Sequence, residues 1–181
     1  NAAEQSGQVG IDDDGNGYVD DIHGYDFAID PADPTGKGDG NPTDDNGHGS
    51  HCAGTIGASG DDGEGVAGVN WNVSLMAVKF LDAGGSGSLA NAVKAIDYAR
   101  KNGAKILSNS WGGGGVSQIL KETIEATRDA DILFVAAAGN DGSDNDGMPS
   151  YPSSYPTENI LSVAAVDVRG ELADFSNYGL T

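Results

Sequence analysis

The 181-residue chain carries 28 acidic and 9 basic side chains, a formal net charge of −19, with 38% hydrophobic and 7% aromatic residues. That length and apolar content allow one domain with a real core and do not fit a disordered chain, while so acidic a surface repels nucleic-acid phosphates and anionic lipids. No apolar run approaches the ~20 residues of a membrane helix, residues 1–10 lack the charged start and apolar stretch of a signal peptide, and a single cysteine, Cys52, excludes an internal disulfide framework.

In chain order, residues 1–45 are rich in Asp, Gly, Asn and Pro and are expected to be mostly loops around a short apolar piece at Tyr25-Asp26-Phe27. The run Ala53-Gly-Thr-Ile-Gly-Ala58 is small and apolar and suits a helix packed closely inside a domain. Residues 74–81 (SLMAVKFL) read as a buried strand. Ser88 is a candidate N-cap for a helix with Leu89, Ala92, Val93, Ile96 and Ala99 at helical spacing, which Gly103 can end in a left-handed conformation. Residues 105–110 (KILSNS) form a second expected strand, followed by a helix from Ser117 with Leu120, Ile124 and Thr127 on one face. Residues 132–138 (ILFVAAA) and 159–166 (NILSVAAV) complete the set as strands.

Strands alternating with helices predict an α/β fold with three layers, a mostly parallel central sheet and helices on both faces. In such sheets reactive loops lie beyond the carboxyl ends of the strands; here these are the glycine-rich residues 81–88, 111–115 and 139–147. No linker or repeat is visible, so residues 1–181 read as a single partial domain, with an N-terminal segment (1–45) and a central α/β part (46–181).

The most informative segment is Asp44-Asp-Asn-Gly-His48-Gly-Ser-His51-Cys52-Ala-Gly-Thr55. A zinc site is one reading, but H-x-x-H lacks the adjacent Glu and the i,i+4 geometry of a metalloprotease helix. A structural histidine is another. A catalytic base is the third, and it needs partners. Asn46-Gly-His48-Gly-Ser-His51-Cys52-Ala-Gly-Thr55 closely resembles the histidine motif N-x-H-G-T-H-x-A-G-T of the subtilisin-like serine endopeptidases, the subtilases. The resemblance implies that His48 is the general base, taking the proton of a serine nucleophile and returning it to the leaving amine, and that His51, one turn along, is structural.

Two further matches follow in the family's order. Ser108-Asn-Ser110-Trp111-Gly112-Gly113 resembles the strand-end motif that walls the substrate cleft, and Val135-Ala-Ala137-Ala-Gly139-Asn140 resembles the motif of the oxyanion asparagine. A neutral amide held rigidly at Asn140 suits the negative oxygen of a tetrahedral intermediate; the plainer reading is a loop Asn satisfying its own turn. The resemblance also implies that Gly85, Ser86 and Gly87, with Ser110, Trp111 and Gly112, flank an extended substrate backbone, and that Ala137 and Gly139 line the pocket for the residue before the scissile bond. Tyr151-Pro152 matches a position that is a cis proline in the family.

A second constellation, Asp12-Asp-Asp14-Gly-Asn16-Gly17-Tyr18-Val-Asp20-Asp21, resembles the first half of an EF-hand loop. Side-chain oxygens of Asp12, Asp14 and Asn16 and the carbonyl of Tyr18 can wrap a hard cation. The usual closing Glu falls on His23, so Asp21 or Asp20 closes the shell instead. Several subtilases carry a similar loop, which implies a structural calcium ion; the competing reading is a solvated acidic turn.

Cys52 is expected to be a buried structural thiol rather than a nucleophile. Residues 63–68 match G-x-G-x-x-G, but they precede a strand and read as a connecting turn, and Asn72-Val-Ser74 is a short glycosylation sequon. The family's D-[ST]-G motif does not occur before His48, and no G-T-S-M-A follows Ala173-Asp-Phe-Ser176-Asn-Tyr-Gly179, a stretch that resembles the segment preceding it. Asp44 and Asp45 are poor substitutes for the orienting carboxylate, and Ser176 for the nucleophile. The chain is therefore expected to be a fragment, inactive by itself, of a secreted, monomeric, calcium-stabilised endopeptidase. The partners implied are polypeptide substrates and a propeptide or protein inhibitor, with no nucleic acid and no membrane span. The rivals are a non-catalytic relative that binds peptide or calcium, and a nucleotide-binding domain suggested by the glycine loops.

Overall fold

A computed structural model describes residues 1–28 and 38–180. They form two compact units, Asn1–Ala95 and Ile96–Thr181. The α/β class and the parallel pairing expected from the sequence are both present. Among the described residues no helix is long and apolar enough to cross a membrane.

The first unit contains α1 (Ala2–Ser6), β1 (Gly24–Asp26), α2 (His48–Gly57) and β2 (Ala77–Lys79). A five-residue helix such as α1 has no stability of its own. Tertiary bonds hold it: buried Glu4 accepts the backbone N–H groups of Asp13 (2.7 Å) and Asp20 (2.9 Å). This is why α1 stands where the composition predicts loop. The part of that loop expectation that falls on residues 29–37 lies outside the described residues.

β1 pairs with β2 in parallel, Gly24 opposite Ala77 and Asp26 opposite Lys79. Tyr18 and Phe27 pack around Tyr25, with ring centroids 4.8 and 5.0 Å from it, so the acidic loop is anchored to β1 through an aromatic cluster. Lys79 Nζ lies 2.8 Å from Asp26 Oδ2 and 3.1 Å from Asp45 Oδ2. Burial alone would lower the Lys79 pKa, but its hydrogen bonds to Asp26 and Asp45 win and hold it above its ordinary 10.5.

α2 differs from expectation, because none of its residues is fully buried. Its last turn is nevertheless well satisfied. The N–H groups of Gly68, Val69 and Asn70 return to the carbonyls of Ala58, Thr55 and Ile56 at 2.9–3.0 Å, which caps the helix with the chain leaving the 63–68 turn.

The boundary between the units falls within α3 (Leu89–Lys101). Ser88 Oγ accepts from Asn91 N at 3.1 Å, and Gly103 follows with φ +84°, both as the sequence predicts. The buried face is shifted from the expected one: Ala92, Ala95, Ile96 and Ala99 are buried, whereas Leu89 is exposed.

The second unit continues with β3 (Ile106–Asn109), α4 (Gln118–Asp129), β4 (Leu133–Ala137) and β5 (Ile160–Val163). The strands are parallel, in the order β3-β4-β5, with Asn109 opposite Ala136 and Ala137 opposite Val163. Ser117 caps α4, which packs on β4 with Leu120, Ile124 and Thr127 buried as predicted. Thr127 Oγ1 donates to Ile124 O and accepts from the Asn159 amide at 2.9 Å, tying the end of α4 to the start of β5. The other face of this sheet presents Ile106, Leu133, Leu161 and Val163 as exposed side chains.

Two measurements check this packing. Ile124→Ala is expected to lower unfolding stability by about 2–5 kcal/mol through an unfilled cavity, whereas Ile119→Ala, exposed on the same helix, stays within about 0.5 kcal/mol in denaturant titrations. Lys79→Met is expected to cost about 1.5–3 kcal/mol at neutral pH. Because the Lys79 pKa is raised on folding, that difference is full below pH 10.5 and shrinks as pH rises through the higher folded value.

Candidate active site

In the first unit α2 begins on His48, which is exposed. Asp44 holds this helix start. Its carboxylate accepts the N–H groups of Asn46 (2.9 Å), Gly47 (2.9 Å) and Ser50 (2.7 Å) and the Ser50 hydroxyl (2.6 Å). The Ser50 hydroxyl first, then these backbone donors, keep the Asp44 carboxyl well below its ordinary 3.8. A negative charge here also complements the helix N-terminus. Asp44 is thus committed to capping, and Asp45 pairs with Lys79.

Asn46 Oδ1 accepts from His48 N at 3.3 Å, and Asn46 Nδ2 donates to Ala83 O at 2.9 Å. The approach to His48 is thereby joined to the loop that carries Gly85, Ser86 and Gly87. Asp82 shapes that loop by accepting from Gly84 N (2.9 Å) and Ser86 N (3.0 Å). A Cβ at Gly87 would stand 2.4 Å from Phe80 O, so the turn leaves no room for a side chain. All three loop residues are exposed.

Cys52 is half-buried rather than a core thiol, and its Sγ lies 3.9 Å from His48 Nε2. The i,i+4 spacing on one helix face brings them together. His51 is exposed, and its carbonyl accepts the Thr55 hydroxyl at 3.0 Å.

In the second unit the ends of β3, β4 and β5 surround a depression of about 270 Å³, lined among others by Ser110, Ala137, Gly139 and Asn140. Trp111 and Gly112 lie outside that lining. Trp111 donates its indole N–H to Asn109 Oδ1 at 3.1 Å, and the next residue but one, Gly113, donates its N–H to Tyr151 O at 3.1 Å. The Tyr151-Pro152 bond is cis, as the resemblance implies. Asn140 is exposed, and among the described residues no hydrogen bond engages its amide. Ser176 is buried; its hydroxyl donates to Asn177 O and accepts from Ala165 N, both at 2.9 Å, which commits it to structure.

Sequence reasoning missed the residues behind Asn140. Asn145 and Asn177, both buried, bond to the backbone on either side of it. The stretch 173–179 is recognisable in the sequence, but nothing local tells which strand end it meets.

In the acidic loop, carboxylate oxygens of Asp12 and Asp14 lie within 4.8 Å of one another and of Glu4, which the sequence reading did not include. Asp12 accepts from Asn16 N (3.1 Å) and Gly17 N (2.8 Å), so the loop wraps around its own first carboxylate. Buried Asp21 accepts the amides of Asn1 (2.6 Å) and Asn16 (2.9 Å). Asn16 Oδ1 takes Tyr18 N at 2.8 Å. Convergent carboxylates of this kind repel one another unless a cation or proton intervenes, and an all-oxygen donor set suits a hard divalent ion.

A family model for the subtilase family matches residues 7–181. Subtilisin DY of Bacillus licheniformis is 41% identical over 138 residues, covering 76% of this chain and 49% of that protein. A thermostable alkaline protease of Halalkalibacterium halodurans is 43% identical over 136 residues, 75% of this chain and 36% of its own length. A thermophilic serine proteinase of Bacillus sp. (strain AK1) is 38% identical over 158 residues, 87% of this chain and 36% of the relative. The chain thus spans half or less of the length of these relatives. With its parallel α/β architecture and a match running over almost all of its length, the chain belongs to the subtilase family of subtilisin-like serine proteases.

Proposed function

We propose that this chain is the central part of one catalytic domain of a secreted, monomeric serine endopeptidase that hydrolyses polypeptides through an acyl-enzyme. The observation that carries the reading is the depression at the strand ends, where Asn140 presents an unengaged amide beside Ala137 and Gly139. His48 acts as general base towards the serine hydroxyl and then as general acid towards the leaving amine. Asn140 donates to the carbonyl oxygen as it becomes negative, where a preorganised neutral donor costs no reorganisation. Gly85, Ser86 and Gly87, and Ser110, Trp111 and Gly112, offer backbone to an extended peptide, which main-chain pairing binds without regard to most side chains. The side chain before the scissile bond enters the depression between Ser110 and Ala137–Gly139.

The orienting Asp and nucleophilic Ser of the family have no motif within residues 1–181. The reading assigns them to the whole protein and expects the chain by itself to be inactive. A propeptide or a protein inhibitor would occupy the same peptide-binding backbone.

Calcium is the proposed structural ion of the acidic loop, held by Asp12, Asp14, Asn16, the Tyr18 carbonyl and Asp21, with Glu4 as an added carboxylate. The convergence of Glu4, Asp12 and Asp14 supports this. When bound, the ion supplies charge neutralisation and no step of the hydrolysis.

Peptide-hydrolysis assays test the catalytic reading. The whole protein is expected to cleave protein substrates and to be silenced by a serine-directed sulfonyl fluoride. His48→Ala should abolish turnover, and Asn140→Ala should lower kcat by about 10²–10³-fold; near-wild-type turnover in either variant defeats the assignment. For the acidic loop, calcium at about 100 times its Kd should stabilise the protein by about 2.7 kcal/mol. A chelator should remove that increment, and Asp14→Ala should show none of it in thermal unfolding.

A further inference from the structure

We propose that Asn177 is a positioning residue that clamps the loop around Asn140 and so fixes the direction of its amide. This rests on reading Asn140 as the oxyanion donor. Asn140 lies in an irregular stretch that follows β4, exposed, with no bond of its own side chain to hold it. Its neighbours are held on both sides. Asn177 N donates to Gly139 O at 3.0 Å. Asn177 Oδ1 accepts Asp141 N at 2.8 Å and Ser143 N at 3.2 Å. Asn177 Nδ2 donates to Asn145 Oδ1 at 3.0 Å, and Asn145 Nδ2 in turn donates to Ala138 O at 2.9 Å. Backbone groups of residues 138, 139, 141 and 143 are thus tied to one buried pair, while residue 140 is left free to face outward.

Two features make the clamp specific to this side chain. Asn177 is 1% exposed and lies directly against Gly139: a Cβ there would stand 2.4 Å from Asn177 Nδ2 and 2.9 Å from its Cγ. Gly139 also adopts φ +121°, which disfavours any other residue. The position then needs one acceptor for two N–H groups and one donor for Asn145. An amide supplies both without charge. Aspartate would keep the acceptor, lose the donor and bring a negative charge up to the loop; a serine is too short to span Asp141, Ser143 and Asn145 together.

A loop fixed before the reaction loses no freedom as charge develops, so the clamp should act on the chemical step rather than on substrate binding. The test is a double-mutant cycle in the whole protein, following kcat and KM on a peptide amide substrate for Asn177→Ala, Asn140→Ala and the pair. Asn177→Ala is expected to lower kcat roughly tenfold or more with KM changed by less than about twofold, and to have no further effect once Asn140 is alanine. An equal kcat loss in both backgrounds, or a change confined to KM, overturns the clamp while leaving Asn140 as the donor. If Asn140→Ala itself leaves kcat unchanged, the oxyanion reading fails and the clamp falls with it. If Asn177→Ala does not fold, Asn145→Ala carries the same cycle: a kcat loss dependent on Asn140 upholds the proposal, and an independent loss or none overturns it.

Discussion

The pairing of β4 with β3 on one side and β5 on the other governs what the second unit can do. Parallel register aligns Asn109 with Ala136 and Ala137 with Val163, so the three chains leave the sheet at one edge. The ladder satisfies both sides of the central strand β4 but only one side of β3 and of β5, and it stops at the strand ends. Every N–H and C=O beyond the edge must find another partner or remain in water. Side-chain amides meet that demand. Asn109 Nδ2 bridges Leu107 O and Val135 O, at 3.0 and 3.3 Å, across the β3–β4 seam. Asn145 and Asn177 do the same for residues 138–143. Beside the depression these amides bond to backbone groups of residues 138, 141 and 143, where the chain turns away from the sheet.

Charge poses the opposite problem in the first unit. Residues 1–95 carry 16 acidic and 3 basic side chains, and most of the acidic ones that are described settle on nearby backbone N–H groups, as Asp44 does at α2 and Asp82 does in its turn. Such a carboxylate has a donor for its charge and needs no ion. Asp26 and Asp45 share Lys79, and Asp26 also accepts the Ala28 N–H. Glu4, Asp12 and Asp14 are different, because among the described residues they are the group of carboxylates whose oxygens converge on one point. Backbone donors serve them too, so their proximity adds like-charge repulsion to an otherwise satisfied set.

The parts legible in the sequence are those decided within one helix or strand. The α4 stripe of Leu120, Ile124 and Thr127 is a period, and a period can be counted. The strand at residues 132–138 is a continuous apolar run ended by Gly139-Asn140. The motifs that hold His48 and Asn140 are contiguous, and the family match over residues 7–181 bears out the resemblance those motifs carry. The α3 face was misplaced: Leu89 opens the helix and is exposed, so the stripe centres on Ala92, Ala95, Ile96 and Ala99. α1 and Glu4 were invisible because their reason for being is a set of hydrogen bonds to residues up to 16 positions away. Asn177 acts across 34 and 36 positions, and no spacing rule links it to Ser143 or Asp141.

That last case also explains a choice of residue type. In a chain this rich in aspartate, the two buried positions behind Asn140 are both asparagine. A buried carboxylate there would carry a large desolvation penalty with no cation among its hydrogen-bond partners. On the proposed reading it would do further harm, because a fixed negative charge opposes the negative oxygen that Asn140 is there to stabilise. An amide gives the loop the same acceptor, adds the donor that locks Asn177 to Asn145, and leaves the local field free for the reaction. The acidic surface and the neutral layer behind the loop are thus consistent with one another: carboxylates such as Asp44 and Asp82 sit where backbone donors meet them, and on the proposed reading uncharged amides take the two positions where a charge would act on the chemistry.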